Sequence, residues 1–159
     1  SGPINVEALN SEQDEFYISF TRNGDAYFSS SRAGGHGAED IYLAEYKNTR
    51  FARPVNLGNR INTIHSEYDP FVTADQSALI FTSSGREDSF GQGDLYWSVK
   101  DKGNWKTATH FDDIINTPTR DFCPYITSDH TYFFYSSQGD VKFIPIDRLP
   151  VDLKSLLKK

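Results

Sequence analysis

Residues 66–84 read SEYDPFVTADQSALIFTSS, and their patterning decides the fold. Pro70 to Thr73 is a short apolar run. Ala74-Asp75-Gln76-Ser77 is a tight turn, because Asp and Ser side chains bond nearby backbone and favour turns. Ala78 to Ser83 then predicts a strand with Leu79 and Phe81 on one face and Ile80 on the other, the alternation of a pleated chain. Further on, Ser84 to Gly93 is a Gly-rich loop and Asp94 to Val99 a third strand. Lys100 to Asn104 is a turn containing Gly103, and Trp105 to His110 a fourth strand. Connections this short join antiparallel neighbours.

The same landmarks recur at one period. Ile61-Asn62-Thr63 returns as Ile115-Asn116-Thr117, 54 residues on. Pro70-Phe71-Val72-Thr73 returns as Pro124-Tyr125-Ile126-Thr127, and Asp40-Ile41-Tyr42 as Asp94-Leu95-Tyr96, both again 54 apart. Ser11-Glu12-Gln13-Asp14 matches Ser66-Glu67-Tyr68-Asp69 at 55. A shared period marks a repeat architecture, and four antiparallel strands per period make one blade of a β-propeller. The recurring Pro-x-Asn (Pro3-Ile4-Asn5, Pro54-Val55-Asn56, drifting to Thr109-His110-Phe111) cuts the chain at about 3–53, 54–108 and 109–147. A tail, 148–159, follows, in which 151–158 (VDLKSLLK) predicts one or two helical turns. The predicted fold class is all-β: three blades of four antiparallel strands.

These residues resemble a known family. Ser66-Glu67-Tyr68-Asp69-Pro70-Phe71, Ala74-Asp75, Leu79-Ile80-Phe81-Thr82-Ser83, Arg86, Gly91, Gly93 and Asp94-Leu95-Tyr96 look like a TolB-like, WD-type propeller repeat. Phe28-Ser29-Ser30-Ser31-Arg32, Gly34-Gly35, Gly37 and Asp40-Ile41-Tyr42 repeat the pattern. The resemblance implies a six-bladed ring, of which this chain would be the C-terminal half. It also implies a bacterial, exported setting, periplasmic or secreted. Three blades cannot close, since rings take four to eight. The ring would then be completed by a second copy, as a homodimer of half-propellers, or by a missing N-terminal half. The departures from the pattern are specific. The first unit lacks the Pro before its first strand and turns on Asn23-Gly24, a strong hairpin dipeptide. The third has Cys123 where the second has Asp69, and its Gly-rich loop shrinks to Gln138-Gly139 without an Arg. Pro145 and Pro150 interrupt the stretch where its fourth strand would fall.

Composition sets exclusions. The net charge is −6, and the only cluster of cations is Lys154, Lys158 and Lys159 in the tail, so counterion-displacing nucleic-acid binding is not expected. That cluster reads as a solvated end, and no apolar run reaches the roughly 18 residues of a membrane helix, so no membrane insertion is expected. Ser1-Gly2 reads as the remnant of a cleaved tag, with no signal peptide after it. Cys123 is the only cysteine and cannot form an internal disulfide.

In a propeller the loop between strands two and three and the connection to the next blade emerge on one face. Here these are Ser31–Glu39, Ser84–Gly93, Leu57–Glu67 and Phe111–Asp121. They carry the candidate ligand-binding residues Arg32, His36, Arg60, His65, Arg86, Phe90, Arg120 and Asp121. A structural reading stands beside this one. Arg32 and Asp40 lie eight apart, as do Arg86 and Asp94, and recurrence in successive blades suggests loop pinning by guanidinium bonds to carboxylate or carbonyl. Asp75 and Asp129 read as turn residues. The loops GQGD (91–94) and GGHGAED (34–40) have only a faint calcium flavour, with too few carboxylates, so no cofactor is expected. His36, His65, His110 and His130 show no metal spacing. No Gly-x-Ser-x-Gly elbow or phosphate loop is present, Asp112-Asp113 are adjacent without acid–base geometry, and Cys123 is expected to pack beside an inner strand as a small apolar residue. The leading expectation is a non-catalytic module binding protein or saccharide through the long-loop face. The alternatives are a carbohydrate-active or peptidase-associated propeller with a central-channel active site, and a structural half-ring that self-assembles.

Overall fold

A computed structural model describes residues 2–157; Ser1, Lys158 and Lys159 lie outside the described residues. The chain is all-β apart from a 3-10 turn, Ile146–Arg148, and helix α1, Val151–Leu157. Its strands form successive antiparallel sheets. The first runs β1 (Glu15–Phe20), β2 (Ala26–Ser30), β3 (Asp40–Ala44) and β6 (Val55–Asn56) in that spatial order, with a small hairpin of β4 (Tyr46–Lys47) and β5 (Arg50–Phe51) between β3 and β6. The second runs β7 (Ser66–Val72), β8 (Ala78–Ser84) and β9 (Asp94–Asp101), with β10 (Asn104–Trp105) and β11 (Thr109–His110) both pairing with β9. The third runs β12 (Asp121–Ile126), β13 (Tyr132–Ser137) and β14 (Asp140–Pro145).

Two sequence expectations shift. The repeat cut places Val55-Asn56 at the head of a unit, yet β6 is the outer strand of the first sheet, pairing Val55 with Leu43 and Asn56 with Tyr42. A period measures spacing but not phase. The single strand expected over 105–110 is also split, because the backbone leaves the sheet edge at Ala108, whose N–H donates to the Arg60 carbonyl at 2.9 Å.

The β7–β8 and β12–β13 hairpins each close on a threonine. Thr73 N and Thr127 N donate to Ala78 O and Tyr132 O, both at 3.0 Å, and the two Thr hydroxyls accept from backbone N–H groups across the turn. Asp75 accepts from Ser77 N at 3.0 Å, and Asp129 from Thr131 N at 3.1 Å, so both act as turn residues. Burial alone would raise the Asp75 carboxyl, but bonds from Ser77 and Thr73 outweigh it and hold the group below its ordinary value.

Each first strand also bulges at one place. The register slips between Phe16 and Ile18, Tyr68 and Phe71, and Phe122 and Tyr125. The slip falls on Tyr17, Asp69 and Cys123, with φ of 37°, 51° and 52°. Left-handed backbone at a non-glycine residue is strained, and a bulge re-aims the side chain it carries.

The sheets stack face to face. Tyr27 and Ile41 of the first pack on Val72, Leu79 and Phe81 of the second. Ile80, Leu95 and Trp97, on the other face of the second, pack on Ile126, Phe133 and Tyr135 of the third. Leu153 and Leu157 of α1 enter that same cluster. At one rim, parallel bridges Glu39–Ser66 and Gly93–Arg120 tie the loop after the second strand of one sheet to the start of the next.

Candidate functional site

The long loops are held from below by a recurring guanidinium socket. Arg86 Nη2 donates to the Ile61 carbonyl at 2.6 Å and lies 3.0 Å from Glu67 Oε1, while Nε donates to Ser83 Oγ at 2.9 Å. Its guanidinium sits over Phe81 and Tyr96, 5.4 and 4.4 Å from their centroids. The first sheet repeats this atom for atom. Arg32 bonds the Leu9 carbonyl at 2.6 Å, Ser30 Oγ at 2.9 Å and Glu15 at 3.1 Å, over the rings of Phe28 and Tyr42. The Nε and Nη2 donors of Arg32 and Arg86 therefore face into the fold.

The third sheet keeps half of the socket. Asp121 faces Ser137 across the ladder, as Glu67 faces Ser83, and both are fully buried. Thr117 N donates to Asp121 Oδ2 at 2.6 Å, but Asp121 Oδ1 and Ser137 Oγ have no partner among the described residues. This burial takes the Asp121 carboxylate away from the loop face on which sequence reasoning put it.

Asp40 and Asp94 do a different job from the arginines eight residues before them. Asp94 accepts from Phe90 N at 2.6 Å and Gly91 N at 3.1 Å, and Nε2 of His110 donates to it at 2.7 Å. Asp40 accepts from Gly37 N at 3.2 Å and from Asn56 Nδ2 at 2.9 Å. Each carboxylate thus shapes its own loop. Gly37 and Gly91 cannot be replaced there, since an added Cβ would lie 1.7 and 1.9 Å from the His65 and Thr119 carbonyls.

The remaining candidates are dispersed. His36, His65 and Arg86 share a shallow depression of about 450 Å³ with Ile64 and Glu87. Arg60 lies in a second, about 420 Å³, with Lys100 and Trp105, and donates to the Trp105 carbonyl at 3.1 Å. Phe90 meets His110 edge-on, with centroids 4.7 Å apart. Arg120 lies over Tyr68 and Phe122. The exposed apolar residues of this face are Ile64 at 82%, Ile114 at 69% and Phe90 at 49%. Sequence reasoning missed both isoleucines; Ile64 adjoins the Ile-Asn-Thr landmark, which served there only as a period marker.

A second group sits where the first strands converge. Tyr17 Oη donates to Pro124 O at 3.4 Å, joining the first and third sheets, and Cys123 N and Sγ donate to Asp69 Oδ2 at 3.3 and 3.4 Å. Burial, opposed by the bonds from Cys123, pushes the Asp69 carboxyl above its ordinary value. Burial and the Asp69 charge push the Cys123 thiol up to about 12. A thiol held protonated is a poor nucleophile. Cys123 is thus a hydrogen-bond donor at a bulge, where simple apolar packing was expected. Beside this group a groove of about 670 Å³ opens between Tyr17, Phe20, Tyr125 and Leu157.

Among the described residues no three His, Cys, Asp or Glu side chains gather in a metal-holding group. Among the same residues no helix is long and apolar enough to cross a membrane. No family model matches the chain, and no curated protein matches it.

Proposed function

We propose that the three sheets are β-propeller blades of TolB-like pattern and that the chain is a non-catalytic binding module, its loop face taking a segment of another protein. One observation carries this reading: Ile64, Phe90 and Ile114 stand exposed on loops whose backbone is pinned by part-buried Arg86 and buried Asp94 and Asn116. Apolar side chains held on a rigid frame lose little freedom on binding, which is the condition for a tight contact. Two aliphatic side chains and one aromatic suit a peptide better than a sugar, which is more often stacked on flat rings. The sequence resemblance implies an exported bacterial setting, so the partner belongs to an envelope.

The test is affinity capture from bacterial envelope extract, with a glycan array in parallel. Ile64→Ser, Phe90→Ser and Ile114→Ser should each weaken capture about tenfold or more if they sit at the centre of the contact. Ile64→Ser and Ile114→Ser should leave the melting temperature near that of the parent, since both side chains are largely in water, and Phe90→Ser should lose only its edge contact with His110. Capture unchanged in the triple variant would overturn the reading, and binding confined to glycans would move it to a saccharide ligand. Turnover of a polysaccharide would favour the central-channel alternative.

A further inference from the structure

We infer that residues 4–10 of one copy complete the open edge of β14 in a second copy, so that two chains close into one ring. This shares with the proposed function only the reading of the sheets as blades, and loop-face binding could fail without touching it.

The template is inside the chain. At the outer edge of the first sheet, β6 is followed by Asn62, which clamps a residue of β3: Ile41 N donates to Asn62 Oδ1 at 2.8 Å, and Asn62 Nδ2 donates to Ile41 O at 2.9 Å. At the second sheet, β11 is followed by Asn116, which clamps Leu95 in the same way at 2.8 and 3.0 Å. In each case the residue ending the edge strand, Asn56 or His110, also reaches the carboxylate before the clamped residue, Asp40 or Asp94.

Residues 4–10 have this build and nothing to grip. The Leu9 carbonyl accepts from Arg32 as that of Ile61 accepts from Arg86. Ser11 caps Glu15 as Thr63 caps Glu67. Asn10 Nδ2 donates to Asn5 Oδ1 as Asn62 Nδ2 donates to Asn56 Oδ1. Asn10 therefore occupies the clamp position, but it and Ile4 are exposed, and no strand lies within their grasp among the described residues.

The third sheet has the complementary deficit. Asp140 faces Ser137 as Asp40 faces Ser30 and Asp94 faces Ser83, so Val141 holds the register of the clamped Ile41 and Leu95. No strand pairs with the outer edge of β14 among the described residues. The adjoining face carries Tyr132, Phe134, Val141 and Phe143 where the second sheet carries Ala78, Ile80, Leu95 and Trp97. Those four are buried against the third sheet, whereas Val141 is 75% and Phe143 57% exposed. The uncovered face thus continues the sheet-to-sheet interface already present in the chain. Unpaired edges of this kind recruit strands. Donor and acceptor lie at opposite ends of the array, so a twofold pair satisfies both at once and forms a closed, non-propagating assembly. Six blades fall within the range in which propellers close.

The register makes the test specific. Val55 pairs with Leu43 and Thr109 with Trp97, which places Ile4 of one copy opposite Phe143 of the other. An Ile4→Cys/Phe143→Cys double variant, oxidised and run without reductant, should give a covalent dimer that neither single variant gives. Sedimentation equilibrium of the parent should show twice the chain mass, and Asn10→Ala and Phe143→Glu should each raise the dissociation constant at least about tenfold. Both positions are exposed, so circular dichroism should be unchanged. A parent that stays monomeric up to millimolar concentration would overturn the inference. So would a dimer indifferent to both substitutions, or one that the cysteine pair fails to trap.

Discussion

Arg86→Met tests whether the guanidinium socket holds the second sheet to its loop. The substitution keeps the aliphatic length and removes every charged donor. It leaves the Glu67 carboxylate fully buried, with Thr63 and Ser83 as its remaining partners. Removing one member of a buried, hydrogen-bonded ion pair costs about 3–5 kcal/mol. The Arg86 side chain is 11% exposed and that of Glu67 0%, so solvent screening does little to soften the loss. For a chain of this size each kcal/mol moves the melting temperature by about 2–4 °C, giving a fall of roughly 6–20 °C. Replacing Glu67 by Gln as well should restore most of it, because the uncompensated charge, more than the lost contact, is the expensive part. The third sheet supplies a control: among the described residues Asp121 has no guanidinium partner, and its Oδ1 is unpartnered. Asp121→Asn removes a carboxylate that no guanidinium compensates and keeps an amide oxygen to accept from Thr117, so it should be neutral or stabilising by up to about 1 kcal/mol. Urea melts followed by near-ultraviolet circular dichroism measure all four proteins. Arg86→Met within about 0.5 kcal/mol of the parent, or Asp121→Asn as damaging as Arg86→Met, would refute the reasoning.

Asp69→Asn should uncover a pH dependence. The Asp69 carboxyl titrates above its ordinary 3.8, so the folded chain binds that proton more tightly than the unfolded one. Its contribution is fully present below the ordinary value and is lost as pH rises through the raised one. The advantage of the Asn variant should therefore be nil in strong acid, grow across that window and then level off; a difference that is flat in pH defeats the argument. Cys123→Gly should relieve the left-handed backbone by about 1–2 kcal/mol, whereas Cys123→Val keeps that penalty and adds the crowding of a β-branched side chain at φ 52°. Equal stabilities for the two would show that the bulge does not constrain the side chain. Leu153→Ala should cost about 2–5 kcal/mol, since Leu153 is fully buried in the cluster joining α1 to the second and third sheets. A melt unchanged by that substitution would mean that α1 does not dock as described.

What could be read from the sequence was whatever is local or periodic. The turn at Asp75, the alternation of Leu79, Ile80 and Phe81 and the spacing of the three units all depend on neighbours in the chain, and these elements appear as strands and turns. Partners set by the fold were not legible. Spacing couples Arg86 to Asp94, yet Arg86 binds Glu67, 19 residues before it, because β7 and β8 lie side by side in the sheet. The bulges at Asp69 and Cys123 had a signal that went unused. A proline inside a strand is tolerated at bulges or edges, and Pro70 and Pro124 follow these two residues directly. The edge strands were missed in phase because two-residue pairings such as Val55-Asn56 are too short for alternation to show.

The shortened loop of the third sheet links the two surfaces. Gln138-Gly139 replaces ten residues of the second sheet's loop, 84–93, and with them go both the arginine and the backbone N–H groups that would occupy Asp140. Asp140 is consequently exposed, and in the inferred two-chain ring Asn5 of the other copy would reach it as Asn56 reaches Asp40. The same loss makes the loop face uneven. Phe90 rides on the loop of the second sheet, Ile64 on the connection into the second and Ile114 on the connection into the third, so among the described residues no exposed apolar residue of this face comes from the third sheet's own loop. A ring of two chains would therefore carry two separated patches, and a partner with two linked copies of its segment would gain avidity by spanning them. Capture of such a tandem partner should then weaken in Asn10→Ala, while capture of a single segment should not. Equal weakening of both would show that ring closure and loop-face binding are one event.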